Sequence, residues 1–170
     1  MHIWRAHLEG PSWPVLRRVL GQYLGAEPSD GELELGERGK PRLRAGKGIE
    51  FNLSHSQNLA LVAVAERPVG IDVELIRPRR DLPRLAERAL PPAEAAAIRD
   101  AAPAEQLALF HRAWVRHEAR VKCLGTGLGT TAPGASVAVE EIEIAPGYAA
   151  AVAVLGDAVG PIDCRTLGAG

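Results

Sequence analysis

The sequence predicts an α+β fold of two subdomains that meet near residues 66–72. A chain of 170 residues has the length of one domain or of two small subdomains that share a core. With 46% apolar and 24% charged residues, its composition is typical of a globular protein. The decisive observation is the order of elements, because a helix followed by strands is predicted before the meeting point, and helices followed by strands after it.

The first half of the chain begins with a predicted short strand over residues 3–8 and a helix over 14–24. Apolar side chains spaced three and four residues apart indicate the helix, namely Leu16, Val19, Leu20, Tyr23 and Leu24. Gly25 ends it. Alternating polar and apolar residues predict a short strand or sheet edge over 32–36, and the glycine-rich, basic residues 36–48 predict an exposed loop.

Three strands are predicted around the middle of the chain, over residues 49–53, 59–65 and 69–76. The first two are expected to be joined by a polar turn over 54–58. Helices are then predicted over 82–89, from the Pro-Pro pair at 91 onward, and over 104–124. A β-hairpin over 137–144 and 148–155 and a loose tail over 156–170 complete the expected architecture.

Composition excludes several classes of protein. A net charge of -1 gives no reason to expect nucleic acid or an anionic membrane as a partner. The longest apolar run covers residues 148–155, whereas a membrane-spanning helix needs roughly 20 residues. The first residues show no basic region followed by a long apolar stretch, so no signal peptide is expected. Cys123 and Cys164 cannot build a disulfide framework or, alone, a zinc site, so we expect a reduced, cytoplasmic protein.

Two carboxylates stand two residues apart in the predicted strand over 69–76. Because alternate side chains of a strand point the same way, Asp72 and Glu74 share one face. Adjacent carboxylates repel each other unless a cation neutralises them, and Mg²⁺ prefers carboxylate, water and phosphate oxygens. The alternative is an edge strand with a solvated acidic face, which the short D-x-E pattern alone favours.

A third carboxylate lies on the long predicted helix. Positions four apart form one row on a helix, and this row reads Phe110, Trp114, Glu118, Lys122. A row that begins with aromatic residues is expected to face the core, where a lone carboxylate costs on the order of several kcal/mol unless it is paired or bound to a metal. The alternative is a surface pair of Glu118 with Lys122, worth about 0.3–0.5 kcal/mol.

The predicted turn after residue 53 carries Ser54, His55 and Ser56. Two hydroxyls, an imidazole and free backbone N–H groups suit a phosphate. The alternative is a turn in which the Ser and Asn side chains satisfy their own backbone.

Taken in order, these segments resemble the 4'-phosphopantetheinyl transferase superfamily, and the combination is similar to its Sfp type. The segments are Gly39-Lys40-Pro41, residues 51–56, residues 69–74, the W-V-R-H-E-A stretch from Trp114 with Lys122 beyond it, and residues 125–128. The resemblance covers about residues 14–155. It implies a monomer of two pseudo-symmetric subdomains, residues 1–70 and 71–170, each a small, mainly antiparallel sheet packed with helices. The active site is then expected at the seam between them.

The activity that this resemblance implies is transfer of the 4'-phosphopantetheine arm from coenzyme A to a serine of an acyl or peptidyl carrier protein, with release of 3',5'-ADP. It assigns Mg²⁺ to Asp72, Glu74 and Glu118, and makes Glu118 the base for the serine hydroxyl, directly or through a water. It assigns a phosphate contact to Lys122. The nucleotide and its 3'-phosphate are assigned to Lys40, Ser54 and His55, and Gly70 is assigned a place against the nucleotide.

One residue of the helix motif differs from the family pattern, because W-x-x-K-E-A reads W-x-x-H-E-A here, with His117 in place of Lys. If His117 faces the pyrophosphate, the phosphate charge raises its pKa, and its positive charge is lost as the pH rises through that value. The alternative is a side chain that points to solvent, since residue 117 lies about 100° from Glu118 around the helix.

Two other functions stay open from the sequence. One is a catalytically weak relative that binds coenzyme A or a carrier protein. The other is a Mg²⁺-dependent nucleotide hydrolase that uses the same three carboxylates.

Overall fold

The computed structural model describes residues 1–36, 39–44, 48–125 and 136–168. In chain order the elements are β1 (His2–His7), α1 (Trp13–Leu24), β2 (Leu33–Leu35), β3 (Pro41–Leu43), β4 (Glu50–Ser56), β5 (Leu59–Ala65), β6 (Val69–Leu75), α2 (Leu82–Ala89), α3 (Pro92–Asp100), α4 (Pro103–Leu124), β7 (Val137–Glu141), β8 (Tyr148–Leu155) and β9 (Asp163–Thr166). In this part of the chain, no helix combines the length and the apolar character needed to cross a membrane.

The two halves repeat one topology. In the first half, β1 leads into α1, and the chain later forms the antiparallel hairpin β4–β5, whose second strand pairs with β1. In the second half, β6 is followed by α4 and then by the antiparallel pair β7–β8, whose second strand pairs with β6. The sheet orders β4-β5-β1 and β7-β8-β6 therefore correspond. The predicted α+β fold of two pseudo-symmetric, mainly antiparallel halves is confirmed.

The sheets and their helices stack in four layers. Apolar residues of α1, such as Leu16 and Leu20, pack on the outer face of the first sheet against Phe51. The inner face of that sheet packs on the second sheet through one shared core of Ile3, Leu61, Ala63, Ile71, Val73 and Val152. The outer face of the second sheet is covered by α4. Burial on both faces explains why β5 and β8 are almost continuous apolar runs.

Three segments differ from the sequence expectation, and one of them, β9, pairs with a strand that is distant in the chain. Residues 54–56 continue β4 and pair with β5, so the turn is confined to Gln57 and Asn58, with Gln57 in a left-handed conformation at φ 54°. Within the expected loop over 36–48, β3 pairs with β2. Part of the expected tail forms β9, which pairs in parallel with β1.

Smaller differences concern element ends and boundaries. β7 ends at Glu141 rather than at residue 144. The expected division of the chain after residue 70 falls within β6 and stays a prediction. Of the motif at residues 125–128, only Gly125, which ends α4 in a left-handed conformation, belongs to the described residues.

A cluster of charged side chains fixes α4 against α3 and β7. Arg116 donates to Glu141 at 2.5 Å and to Glu94 at 3.0 Å, and Arg112 donates to Glu141 at 2.7 Å. Partial burial alone would raise the pKa of Glu141, but the two guanidinium groups outweigh it and hold this pKa below its ordinary value.

We predict that Glu141→Gln destabilises the protein by about 1 kcal/mol at neutral pH, since the pairs are partly exposed. A carboxyl whose pKa is lowered by folding contributes stability above its unfolded pKa, about 4.3, and loses it as the pH falls through the folded value. The gap between wild type and variant should therefore stay constant down to about pH 4.3 and close as the pH falls below that value. Urea unfolding across this range measures it, and the exposed neighbour Glu140→Gln is the control. A gap that does not vary with pH would contradict the ion-pair origin.

Candidate active site

The seam between the sheets is formed by two edge strands, β4 and β6. The outer N–H groups of β6 donate to side-chain oxygens of alternate residues of β4. The three bonds are Ile71 N–H to Asn52 Oδ1 at 2.9 Å, Val73 N–H to Ser54 Oγ at 3.4 Å, and Leu75 N–H to Ser56 Oγ at 3.1 Å. We call this set the seam ladder. It satisfies edge N–H groups that would be costly to bury without partners.

Two rungs of the seam ladder also hold carboxylates. The Ser54 hydroxyl donates to Asp72 Oδ1 at 2.9 Å, and the Ser56 hydroxyl donates to Glu74 Oε2 at 3.0 Å. Each hydroxyl thus accepts one hydrogen bond from β6 and returns its own hydrogen to β6. Asp72 is only 4% exposed, so the solvated acidic face considered from the sequence does not describe this residue.

Helix α4 brings a lysine and a third carboxylate to the same place. Lys122 Nζ donates to Asp72 Oδ1 at 2.6 Å and to Ser54 Oγ at 3.1 Å. Glu118, one turn earlier, is half-buried. Burial raises its pKa, and repulsion by Asp72 and Glu74 adds to this more than Lys122 subtracts. The three predicted carboxylates therefore share one electrostatic environment.

Asp72 carries the clearest sign of an incomplete site. Burial raises its pKa despite the pairing with Lys122 and the hydrogen bond from Ser54. Its Oδ2 atom is buried without a hydrogen-bond partner in the described residues. In the same part of the chain, no group of three His, Cys, Asp or Glu side chains is already arranged to hold a metal ion. A hard cation would nevertheless satisfy Oδ2 and relieve the repulsion among the carboxylates, so the donor set fits Mg²⁺.

Gly70 sets the distance between α4 and β6. A Cβ atom at this residue would lie 2.0 Å from the Ala119 carbonyl oxygen and 2.3 Å from the Cys123 backbone nitrogen. The helix therefore rests directly on the strand, and this close approach lets Lys122 reach Asp72. The structure gives Gly70 a packing role, while its predicted place against a nucleotide stays a prediction.

Lys40 bridges α4 and β6 beside the close contact at Gly70. Its ammonium donates to the carbonyl oxygens of Val69 and Lys122, each at 3.0 Å, and so joins the end of α4 to the start of β6. Burial lowers the pKa of Lys40, against weaker opposing effects of Glu50 and Cys123. Its predicted phosphate contact stays a prediction.

Neither His55 nor His117 is among the groups that shift the pKa of Asp72 or Glu118. His55 is exposed and, as its strand alternates, faces away from the seam side of Ser54 and Ser56. His117 is partly buried, and burial lowers its pKa; the charged residues that act on it are Glu94 and Arg120. The roles assigned to both histidines stay predictions.

The structure therefore brings together most of the predicted site residues, namely Lys40, Ser54, Gly70, Asp72, Glu74, Glu118 and Lys122. Sequence reasoning missed the contribution of Asn52 and Ser56 to the seam. The missed signal was periodicity, because N-x-S-x-S repeats every two residues, as the D-x-E of β6 does.

Comparison with known proteins points to one superfamily. A family model of the 4'-phosphopantetheinyl transferase superfamily matches residues 68–158. The chain is 43% identical over 135 residues to the 4'-phosphopantetheinyl transferase HetI of Nostoc sp., which covers 77% of this chain and 54% of the relative. It is 42% identical over 115 residues to AcpT of Salmonella typhimurium, covering 67% and 58%. A 4'-phosphopantetheinyl transferase of Bacillus subtilis is 28% identical over 127 residues, covering 75% and 56%. The chain thus spans little more than half the length of these relatives.

We predict that Gly70→Ala destabilises the protein by about 3 kcal/mol, because backbone atoms of α4 leave no room for a methyl group. Gly10→Ala is the matched control, since a Cβ atom there meets nothing within 4 Å. This control should change the free energy of unfolding by less than about 0.5 kcal/mol. Urea unfolding measures both, and equal stabilities would show that α4 does not rest on β6 as described.

Proposed function

The chain belongs to the 4'-phosphopantetheinyl transferase superfamily, and we propose that it transfers the 4'-phosphopantetheine arm of coenzyme A to a serine of an acyl or peptidyl carrier protein, releasing 3',5'-ADP. The observation that carries the proposal is the buried Oδ2 atom of Asp72, which has no hydrogen-bond partner in the described residues, beside Glu74, Glu118 and Lys122. All four residues lie within the matched segment, residues 68–158. Assignment to the Sfp type is part of the same proposal.

The proposal includes Mg²⁺, held by Asp72, Glu74 and Glu118. The Oδ2 atom of Asp72, which lacks a partner among the described residues, supports this choice, as does the mutual repulsion of the three carboxylates. When bound, Mg²⁺ acts as a Lewis acid that neutralises charge on the pyrophosphate oxygens.

In the proposed reaction, the serine oxygen of the carrier attacks the β-phosphorus of coenzyme A. The new serine O–P bond forms as the bond to the bridging oxygen breaks, and 3',5'-ADP leaves with that oxygen. Such displacements depend on positioning and on neutralised oxygens more than on covalent help. Glu118 takes the serine proton, directly or through a water. Lys122 adds a cation beside Asp72 for a phosphate oxygen.

We further propose that the nucleotide lies along the seam. Lys40, which directly precedes β3, contacts it together with Ser54 of β4 and Gly70 of β6, and the exposed His55 contacts the 3'-phosphate. His117 remains a candidate phosphate contact. We also propose that the protein acts as a cytoplasmic monomer. Its near-neutral net charge gives no reason to expect nucleic acid or an anionic membrane as a partner.

We predict that Asp72→Ala abolishes transfer without unfolding the chain, because it removes the buried ligand and relieves carboxylate repulsion. Intact-mass spectrometry of a panel of apo-carrier proteins with coenzyme A and Mg²⁺ measures the transfer. Exposed Asp157→Ala is the control and should keep wild-type turnover.

Each alternative function gives a different result in that assay. A weak binding relative would bind coenzyme A with no mass gain on any carrier, whereas a nucleotide hydrolase would release product without a carrier. Wild-type turnover by Asp72→Ala would show that the metal assignment is wrong.

We predict that His55→Ala weakens the binding of coenzyme A much more than the binding of dephospho-coenzyme A, which lacks the 3'-phosphate. A charge-assisted contact contributes about 1.5–3 kcal/mol, which corresponds to a loss of roughly tenfold to hundredfold in affinity. Titration calorimetry with both ligands measures it, and His7→Ala, another exposed histidine of the same sheet, is the control. Equal losses for both ligands would remove His55 from the 3'-phosphate site.

A further inference from the structure

We propose that Ser56 is a positioning residue for Glu74. The Ser56 hydroxyl holds the Glu74 carboxylate in the orientation that binds a divalent cation. This inference rests on the proposed function, because it concerns the same carboxylate site. It assigns to the seam ladder a role besides joining the sheets, and it makes one residue of β4 responsible for the orientation of a carboxylate on β6.

The Ser56 hydroxyl is fixed from both sides. It accepts the Leu75 N–H at 3.1 Å, which takes up a lone pair, and its single hydrogen points to Glu74 Oε2 at 3.0 Å. The carboxylate and the N–H belong to consecutive residues of β6, so the strand itself sets their spacing. A glutamate side chain that is free to rotate loses conformational entropy when it is fixed. Ser56 fixes it before any ligand arrives.

Glu74 depends on Ser56 more than Asp72 depends on Ser54. Asp72 receives hydrogen bonds from both Ser54 and Lys122. Within the described residues, Ser56 is the one hydrogen-bond donor to the Glu74 side chain. Loss of the Ser56 hydroxyl therefore frees Glu74, whereas loss of the Ser54 hydroxyl leaves Asp72 paired with Lys122.

Asn52 separates the two roles of the seam ladder. Its Oδ1 accepts the Ile71 N–H at 2.9 Å, as the serines accept theirs, and the residue before Ile71 is Gly70, which has no side chain to hold. A rung that only joins the sheets needs an acceptor, whereas a rung opposite a carboxylate needs an acceptor and a donor on one atom. Serine supplies both at residue 56.

The test compares Ser56→Ala, Ser56→Thr and Asn52→Ala with the wild-type chain. Mn²⁺ binding without coenzyme A is measured by electron paramagnetic resonance, and the free energy of unfolding is measured in EDTA. We expect Ser56→Ala to weaken Mn²⁺ binding about tenfold, as is typical when a partner of a metal ligand is lost. Ser56→Thr, which keeps the hydroxyl, should restore most of the affinity. Asn52→Ala should lower stability but leave Mn²⁺ affinity unchanged.

The readouts keep this inference separate from the proposed function. If the wild type binds Mn²⁺ but modifies no carrier, the proposed function fails, and the comparison of Ser56 with Asn52 still decides the role of Ser56. Unchanged Mn²⁺ affinity in Ser56→Ala, an equal loss in Asn52→Ala, or a wild type that binds no Mn²⁺ would each overturn the inference. If Asn52→Ala does not fold, Asn52→Ser serves as the control, because it shortens the acceptor without removing it.

Discussion

The close approach of α4 to β6 is the constraint on which the candidate site depends. At Gly70, backbone atoms of the helix occupy the space where any side chain would begin. Because Glu118 and Lys122 lie about one turn apart on the same face of α4, a small outward shift of the helix at this contact would carry both away from Asp72. Lys40 secures the same contact from outside through carbonyl groups of both elements. Packing, rather than any direct link between the carboxylates, brings the charges together.

The fold keeps three carboxylates close together at the seam although they repel one another. Three carboxylates face one lysine, and burial raises the pKa of both Asp72 and Glu118. Such an arrangement does not favour stability, since an unpaired buried carboxylate oxygen costs about 1–3 kcal/mol. Shifted pKa values of neighbouring groups are typical of functional sites. The seam ladder and the contact at Gly70 are the interactions that hold these groups in place.

How closely the sequence predicts the secondary structure of a segment depends on whether the residues that it contacts are near or far in the chain. The helices and β8 were predicted closely because their apolar periodicity is local. Residues 54–56 read as a turn because their polar side chains have partners on β6, about 19 residues away, as the bond from Leu75 to Ser56 shows. β9 was missed because its partner β1 lies at the other end of the chain. The carboxylates were found from their chemistry, but the hydroxyls that hold them depend on tertiary structure.

The two halves differ at one strand edge, and this difference favours carboxylates on β6 over its counterpart β1. The outer edge of β1 is closed by the backbone of β9, which supplies carbonyl acceptors and needs no side chains. The outer edge of β6 is closed by side chains of β4, and two of these, Ser54 and Ser56, have a hydrogen left to donate. A carboxylate beside such an edge gains a fixed donor, whereas a backbone-paired edge offers none. At this edge Lys122 of α4 adds a cation that reaches both Ser54 and Asp72.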